Sequence, residues 1–194
     1  MIFETSLIRA ALMLTADAGD SREYLHCIHI NEKYIEATDG KAFVRMEHGQ
    51  PVDVDILVKF TQEIPVNSEF SQIVLDEKPF VIHYDGTETA LAPAYIELVE
   101  SKYPQLDHNI PKVVIEKMPL ISSRMLALPY LLFNSGAVGL QPSSETGAIR
   151  FIFDAFTNHE FGNPVLVAMP THPDSFTAAQ KSLDEYLSGA TNES

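Results

Sequence analysis

The sequence predicts an α+β protein whose sheet is mostly antiparallel. Apolar residues repeat at helical spacing near the start of the chain, and short alternating segments separated by turn residues follow. A proline-bounded segment then leads to a second helix and further short strands, an order typical of the α+β class. Because 45% of the 194 residues are hydrophobic, the chain can bury a core and is not expected to be disordered.

The first helix is predicted over residues 6–18. Thr5 or Ser6 can cap its N-terminus, because a hydroxyl oxygen can accept from the free N–H groups of the first turn. Residues 18–21 contain a glycine, an aspartate and a serine and are expected to end the helix. The apolar positions fall on one face and are Leu7, Ala10, Ala11, Leu14 and Ala18.

A series of strands is predicted after this helix. The first two are joined by a turn at Asn31 and Glu32. The next turn, at Asp39 and Gly40, is strongly indicated, because glycine tolerates positive φ and an aspartate side chain can bond nearby backbone N–H groups. The predicted strands cover residues 23–30, 33–38, 41–46, 54–63, 71–75, 78–84 and 88–99.

A second unit is predicted beyond the prolines at 104 and 111. It opens at residues 113–115 and continues with a helix at 121–133, which Ser122 or Ser123 can cap and Pro129 is expected to kink or end early. Short strands are predicted at 137–141, 148–154 and 164–169. The expected organisation is a complete domain at 1–102, a linker at 103–112, a truncated second domain at 113–172 and a helical tail at 173–194.

The charge balance bears on nucleic-acid binding. The net charge of −14, from 27 acidic and 13 basic residues, argues against simple binding to phosphate, but it is compatible with a protein that surrounds DNA and presents a few basic side chains inward. The alternative is that the basic side chains on helices and loops are ordinary solvated surface charges. The DNA-facing candidates lie on or beside predicted helices and loops and are Arg9, Arg22, Lys59 and Arg124.

No pattern in the sequence predicts an enzyme, a metal site or a cofactor. The chain has no G-x-S-x-G, no P-loop lysine and no H-E-x-x-H, and Asp39 is expected to bond its own turn rather than act as a base. Its histidines and Cys27 lack zinc spacing. One cysteine, no signal-peptide pattern and no apolar run of about 20 residues together predict a cytoplasmic protein that does not cross a membrane.

Two strand ends could form an apolar cleft. Residues 38–43 bring small and apolar groups together, and the apolar strand at 165–169 ends abruptly at Pro170. If these ends meet, they form a cleft with a few polar groups, which is suited to docking a short hydrophobic motif. The same residues would serve equally well as core.

Three segments, in the same order, resemble the bacterial DNA polymerase sliding clamp family, the DNA polymerase III beta subunits. Residues 22–43, with Ala-Thr-Asp-Gly at 37–40, are similar to the strand pair and Ala-Thr-Asp-Gly-His-Arg-Leu motif of the clamp's middle domain. Residues 98–111 resemble the Gly-x-Phe-Pro-Asp-Tyr…Ile-Pro linker, and residues 164–170 resemble the Met-Pro-Met-Arg-Leu terminus. The family's His-Arg is Lys41-Ala42 here, its first domain is missing, and its last domain is shortened.

The resemblance implies a processivity factor of DNA replication. Such subunits form oligomeric rings whose inner helices face duplex DNA, and polymerases and clamp loaders dock short Gln-x-x-Leu-Phe-like peptides in a pocket. The alternative is a non-encircling interaction module or decoy that binds the clamp, clamp loader or polymerase of a host. Carried over to this chain, the pocket would contain Leu25, Thr38, Gly40, Lys41, Ala42, Phe43, Pro104, Val167, Met169 and Pro170.

The tail has two interpretations. Its stripe of Phe176, Ala179, Leu183 and Leu187 predicts an amphipathic helix packed on the chain's own sheet. Its Gln-x-x-Leu-x-x-Tyr spacing at 180–186 also resembles a clamp-binding peptide.

Overall fold

The computed structural model describes residues 1–17, 19–91 and 93–190, with the side chains of the last helix described as far as Tyr186. These residues form one 11-stranded sheet in which every paired strand is antiparallel, and four α-helices. The α+β, mostly antiparallel prediction is therefore confirmed. The strand order is β1-β6-β7-β8-β5-β2-β3-β4-β11-β10-β9. The strands are β1 (Ile2–Glu4), β2 (Ile28–Ile30), β3 (Tyr34–Thr38), β4 (Ala42–Glu47), β5 (Ile56–Phe60), β6 (Phe70–Val74), β7 (Phe80–Tyr84), β8 (Ala94–Leu98), β9 (Gly139–Pro142), β10 (Ile149–Ile152) and β11 (Val165–Ala168), and the helices are α1 (Thr5–Leu12), α2 (Ser123–Phe133), α3 (Ala155–Glu160) and α4 (Ser175–Ala190).

Helix α1 lies on one face of the sheet, as its apolar stripe predicts. The side chains of Leu7, Ala10, Ala11 and Leu14 are buried, whereas Ala18 lies outside the described residues. The helix is shorter than expected and ends at Leu12. The predicted cap is wrong: the Thr5 hydroxyl lies within hydrogen-bond distance of the hydroxyls of Ser68 and Ser71 instead.

One core joins α1 and α2 to the sheet. The two helices contact each other, and the inward residues of β2, β3, β4, β10 and β11 pack under them. Strand alternation then places the other side chains of β2, β3 and β4 on the opposite face. There Leu106, from residues 103–110, packs with Phe43 and Val167 of the strands in a small second cluster.

The strand predicted at 23–30 is wrong over its first half. Glu23–His26 form a 3-10 turn, and only Ile28–Ile30 pair as a strand. The ring of His26 lies 2.8 Å from the carbonyl oxygen of Asp20 and 3.2 Å from that of Ala16, which holds this turn against the segment that follows α1. These local bonds replace the ladder bonds that a longer strand would make.

The second part of the chain contains one helix more than predicted. α2 is capped by Ser122, which accepts from the backbone N–H of Met125 at 3.3 Å, and it continues through Pro129 to Phe133 rather than ending early. The unpredicted helix α3 begins after Asp154, whose carboxylate accepts from the N–H groups of Phe156 and Thr157. No strand forms at 113–115, where the N–H of Ile115 bonds the carbonyl of Pro142 at 3.0 Å.

The tail is helical, but its predicted packing is wrong over the described side chains. In α4 the side chains of Phe176, Leu183 and Tyr186 are exposed to 72%, 49% and 73%. The side chain of Leu187 lies outside the described residues. As far as Tyr186, the apolar stripe of this helix is therefore not covered by the sheet of its own chain.

Candidate peptide-binding cleft

The turn between β3 and β4 has the geometry that its sequence predicts. Gly40 has a φ of 82°, which lies in the left-handed region that glycine tolerates. One carboxylate oxygen of Asp39 accepts from the N–H groups of Lys41 and Ala42, both at 2.8 Å. The Thr38 hydroxyl donates to the carbonyl of Ala42 at 2.7 Å. The turn is held by its own side chains, as expected for an aspartate and glycine pair.

Strand β11 lies beside β4 and brings the two predicted strand ends together. Val167 is opposite Phe43, and Ala168 is opposite Ala42. The next N–H, that of Met169, donates to the carbonyl of Lys41 at 2.8 Å. The pairing thus continues to the turn, where the Met169 side chain is 47% exposed.

Residues 103–110 form the opposite wall of a cleft at this place. Pro104 and Leu106 from this segment, Leu25 from the 3-10 turn, and Phe43 and Val167 from the strands surround a space of about 340 Å³. Leu25, Phe43, Leu106 and Val167 are each less than 7% exposed, so the walls are firmly packed and mostly apolar. Polar groups are few and come from Tyr24, the β3–β4 turn and Asn109.

Every pocket residue predicted from the resemblance lines this one cleft except Pro170, which follows Met169 beyond the end of β11. Their role in binding a peptide stays a prediction. Three lining residues were not predicted. Tyr24 is the neighbour of Leu25, and Leu106 is one of two apolar residues in a polar stretch between two prolines, which could have indicated a buried side chain. No pattern in the sequence indicates Asn109.

The structure brings two of the DNA-facing candidates to the same side of the sheet. Arg9 lies on α1 and Arg124 in the first turn of α2, and these helices pack against each other. Arg9 donates to the carbonyl of Pro65, and Arg124 lies 3.6 Å from the carboxylate of Asp39. Both positive charges already have a negative or polar partner.

The other two candidates lie elsewhere. Lys59 neighbours Val58, a core residue under the helices, so strand alternation places Lys59 on the opposite face, where it donates to Glu97 at 2.9 Å. Arg22 lies against Gly40 of the cleft and binds the carboxylate of Asp20 through two bonds of 2.8 and 2.9 Å. The four basic residues therefore do not form one surface.

The described residues contain neither a candidate metal cluster nor a helix suited to crossing a membrane. In that part of the chain no group of three or more histidine, cysteine, aspartate or glutamate side chains is arranged to hold a metal ion. No helix there has the length and apolar character that crossing a membrane requires.

Known structures with the same fold share little sequence with this chain. The DNA polymerase III beta chain of Streptococcus pneumoniae matches 89% of it with a TM-score of 0.63 and 14% identity. The subunit beta of Pseudomonas aeruginosa matches 89% with a TM-score of 0.60 and 13% identity, and a putative beta subunit from Eubacterium rectale matches 90% with a TM-score of 0.62 and 10% identity.

The chain spans 64–66% of the length of these three proteins. No protein-family model matches the sequence, and no curated protein sequence matches it. The likeness therefore lies in the arrangement of strands and helices. Its consistency across these structures shows that the chain has the sliding-clamp fold of DNA polymerase III beta subunits.

Proposed function

We propose that this chain is a sliding-clamp-like accessory protein of DNA replication, of the processivity-factor type, and that replication partners dock short peptides in the cleft. It is not proposed to catalyse a reaction. The observation that carries the proposal is the convergence of Leu25, Phe43, Pro104, Val167 and Met169 on one cleft, although they come from three separate parts of the sequence.

The chemistry of the cleft supports a hydrophobic peptide as its ligand. Its space of about 340 Å³ accommodates a few side chains of leucine or phenylalanine size. Burial of one such side chain stabilises a complex by about 1.5–3 kcal/mol. The exposed Met169 can close over the ligand, because an unbranched thioether side chain adapts to irregular surfaces.

We expect Met169→Glu to weaken binding of an acetylated and amidated Gln-Leu-Ser-Leu-Phe peptide by about 10-fold or more, because a carboxylate would lose water in the apolar cleft. Binding is measured by fluorescence anisotropy of a labelled peptide. The matched control is Met118→Glu, since Met118 is 46% exposed, much like Met169, but does not line the cleft. Equal affinities of the two variants would contradict the proposed site.

A second candidate is a clamp-fold interaction module that binds partner proteins without encircling DNA. The pairing and scatter of the basic side chains favour it, as does the net charge of −14. A protein that binds DNA by charge usually neutralises several phosphates at once. In this interpretation the cleft keeps its role, and the helix face is not used for DNA.

Retention on DNA separates the two candidates. An encircling oligomer is expected to stay on nicked circular DNA and to be lost when the same DNA is linearised, because a closed ring can leave DNA only over a free end. Light scattering after size exclusion gives the oligomer size. A strict monomer that is retained equally on both DNA forms, or on neither, would contradict encirclement and leave the interaction module.

A further inference from the structure

A group of charged side chains, buried at its centre and exposed at Asp55 and Asp107, lies next to the cleft on the sheet face opposite α1 and α2. Glu36 of β3 is 3% exposed and is held between two partners, His29 of β2 and Arg45 of β4. The Nδ1 atom of His29 lies 2.9 Å from the Glu36 carboxylate, and its Nε2 atom lies 2.6 Å from that of Asp55. The guanidinium of Arg45 donates to Glu36 and, at 2.7 Å, to Asp107.

This cluster fastens the chain segment that forms one wall of the cleft. The ring of Tyr103 stacks on His29 with 4.3 Å between ring centroids and an interplanar angle of 26°. Asp107, four residues further along the wall, is bound by Arg45. The wall residues Pro104 and Leu106 lie between these two attachment points.

We propose that His29, Glu36, Arg45 and Asp107 are positioning residues, which hold residues 103–110 in place as the wall of the cleft and make its peptide affinity depend on the charge of His29. The affinity part rests on the proposed function. None of the four has to touch the peptide. They act through the wall, as the supporting contacts of a binding site do.

The direction of the pH effect follows from the contacts of His29. A protonated ring donates to Glu36 and Asp55 together, whereas a neutral ring has a single N–H and can donate to only one of them. Burial lowers the pKa of His29, but its bonds to the two carboxylates outweigh burial and raise the pKa above the usual value of about 6.5.

The titratable groups in contact with this ring come from three different parts of the fold. They are Glu36 from β3, Asp55 from the loop before β5 and Tyr103 from the wall segment, with Arg45 of β4 behind Glu36. Because the pKa of His29 is raised in the folded protein, the stabilisation that its charged ring gives to this cluster is complete below about pH 6.5. It is lost as the pH rises through the pKa of the folded state. The wall should therefore be held best in acid and loosen towards alkaline pH.

The test combines peptide affinity with hydrogen exchange. The N–H groups of Asn109 and Ile110 bond the carbonyls of Leu106 and Asp107, so their exchange reports on the wall without any peptide. We expect the wild-type affinity for the blocked Gln-Leu-Ser-Leu-Phe peptide to fall several-fold between pH 6 and 8.5, whereas His29→Gln binds with little pH dependence. This peptide has no group that titrates in that range.

Asp107→Asn keeps the proposal testable if His29→Gln does not fold, because the Asp107 side chain is 69% exposed. It should accelerate exchange at Asn109 and Ile110 by up to about 5-fold, in line with an exposed ion pair. The matched control is Asp174→Asn, which removes an exposed pair with His172 in the tail and should leave this exchange unchanged.

The two failures are distinguishable. If peptide binds, but wild type and His29→Gln share one pH profile and Asp107→Asn exchanges like the control, the positioning role is overturned and the proposed function stands. If the wild type binds no peptide at any pH, the proposed function fails, and the exchange of Asn109 and Ile110 alone decides whether the cluster holds the wall.

Discussion

Gly162→Ala should lower the free energy of unfolding by about 3 kcal/mol or more, an unusually large effect for the addition of one methyl group. Gly162 has a φ of 58°, in the left-handed region that is strained for alanine. A Cβ at this position would also overlap the carbonyl oxygen of Glu47. The two backbones are already bonded there, since the N–H of Glu47 donates to the carbonyl of Gly162 at 2.7 Å.

A matched control separates the two causes. Gly49 has a similar φ of 65°, but a Cβ there would meet no atom within 4 Å. Gly49→Ala should therefore cost only the left-handed backbone conformation, about 1 kcal/mol. Urea denaturation followed by circular dichroism gives both values. Equal losses in the two variants would contradict the importance of the close approach to Glu47.

The close approach at Gly162 matters for the cleft as well as for stability. Glu47 is the last residue of β4, and Gly162 precedes β11 by a few residues. The contact therefore sets where β11 begins to run beside β4. The same pairing ends at Ala42 and Ala168, directly before the turn and Met169 of the cleft. A shift at one end would move the side chains at the other.

The sequence predicts the turn between β3 and β4 well because this turn is held by bonds among residues adjacent in the sequence. Asp39 and Gly40 need only the next few backbone groups to adopt their conformation, and both do so. The pairing of β4 with β11 joins residues more than a hundred positions apart, and no local pattern specifies it. The resemblance to sliding clamps, rather than periodicity, led to the prediction that both segments line one pocket.

The segments whose secondary structure was predicted wrongly have local hydrogen bonds that outweigh the pattern of apolar residues. Residues 23–26 contain aromatic and apolar side chains suited to a strand, but the ring of His26 lies within hydrogen-bond distance of the backbone carbonyls of residues 16 and 20, which favours a turn. Helix α3 has only six residues, too short for an apolar stripe to be recognised, and its N-cap at Asp154 was the one available indication.

The basic candidates show what a sequence leaves undetermined about charge. The position of Arg9 on a helix could be predicted, but its bond to the carbonyl of Pro65 could not. Lys59 faces away from α1 because a strand places successive side chains on opposite faces. The sequence does not fix the strand register closely enough to predict which face Lys59 occupies. Partners and faces depend on tertiary contacts.

Leu166→Ala should destabilise the whole protein by about 2–5 kcal/mol, as expected for removing a buried leucine side chain from a packed core. Leu166 is fully buried in β11, opposite Val44 of β4. It belongs to a core that also contains Ile8 of α1 and Phe151 of β10, so both parts of the chain lose contacts. We expect one cooperative urea transition whose midpoint moves to lower concentration without a change in slope.

This result would decide between one folding unit and the separate domains expected at 1–102 and 113–172. Leu75→Ala is the control, because Leu75 is 41% exposed and its loss should change stability by less than about 0.5 kcal/mol. If the wild type unfolded in two steps and Leu166→Ala moved only one of them, the two parts would fold independently. The cleft, which takes its walls from both, would then open whenever the weaker part unfolds.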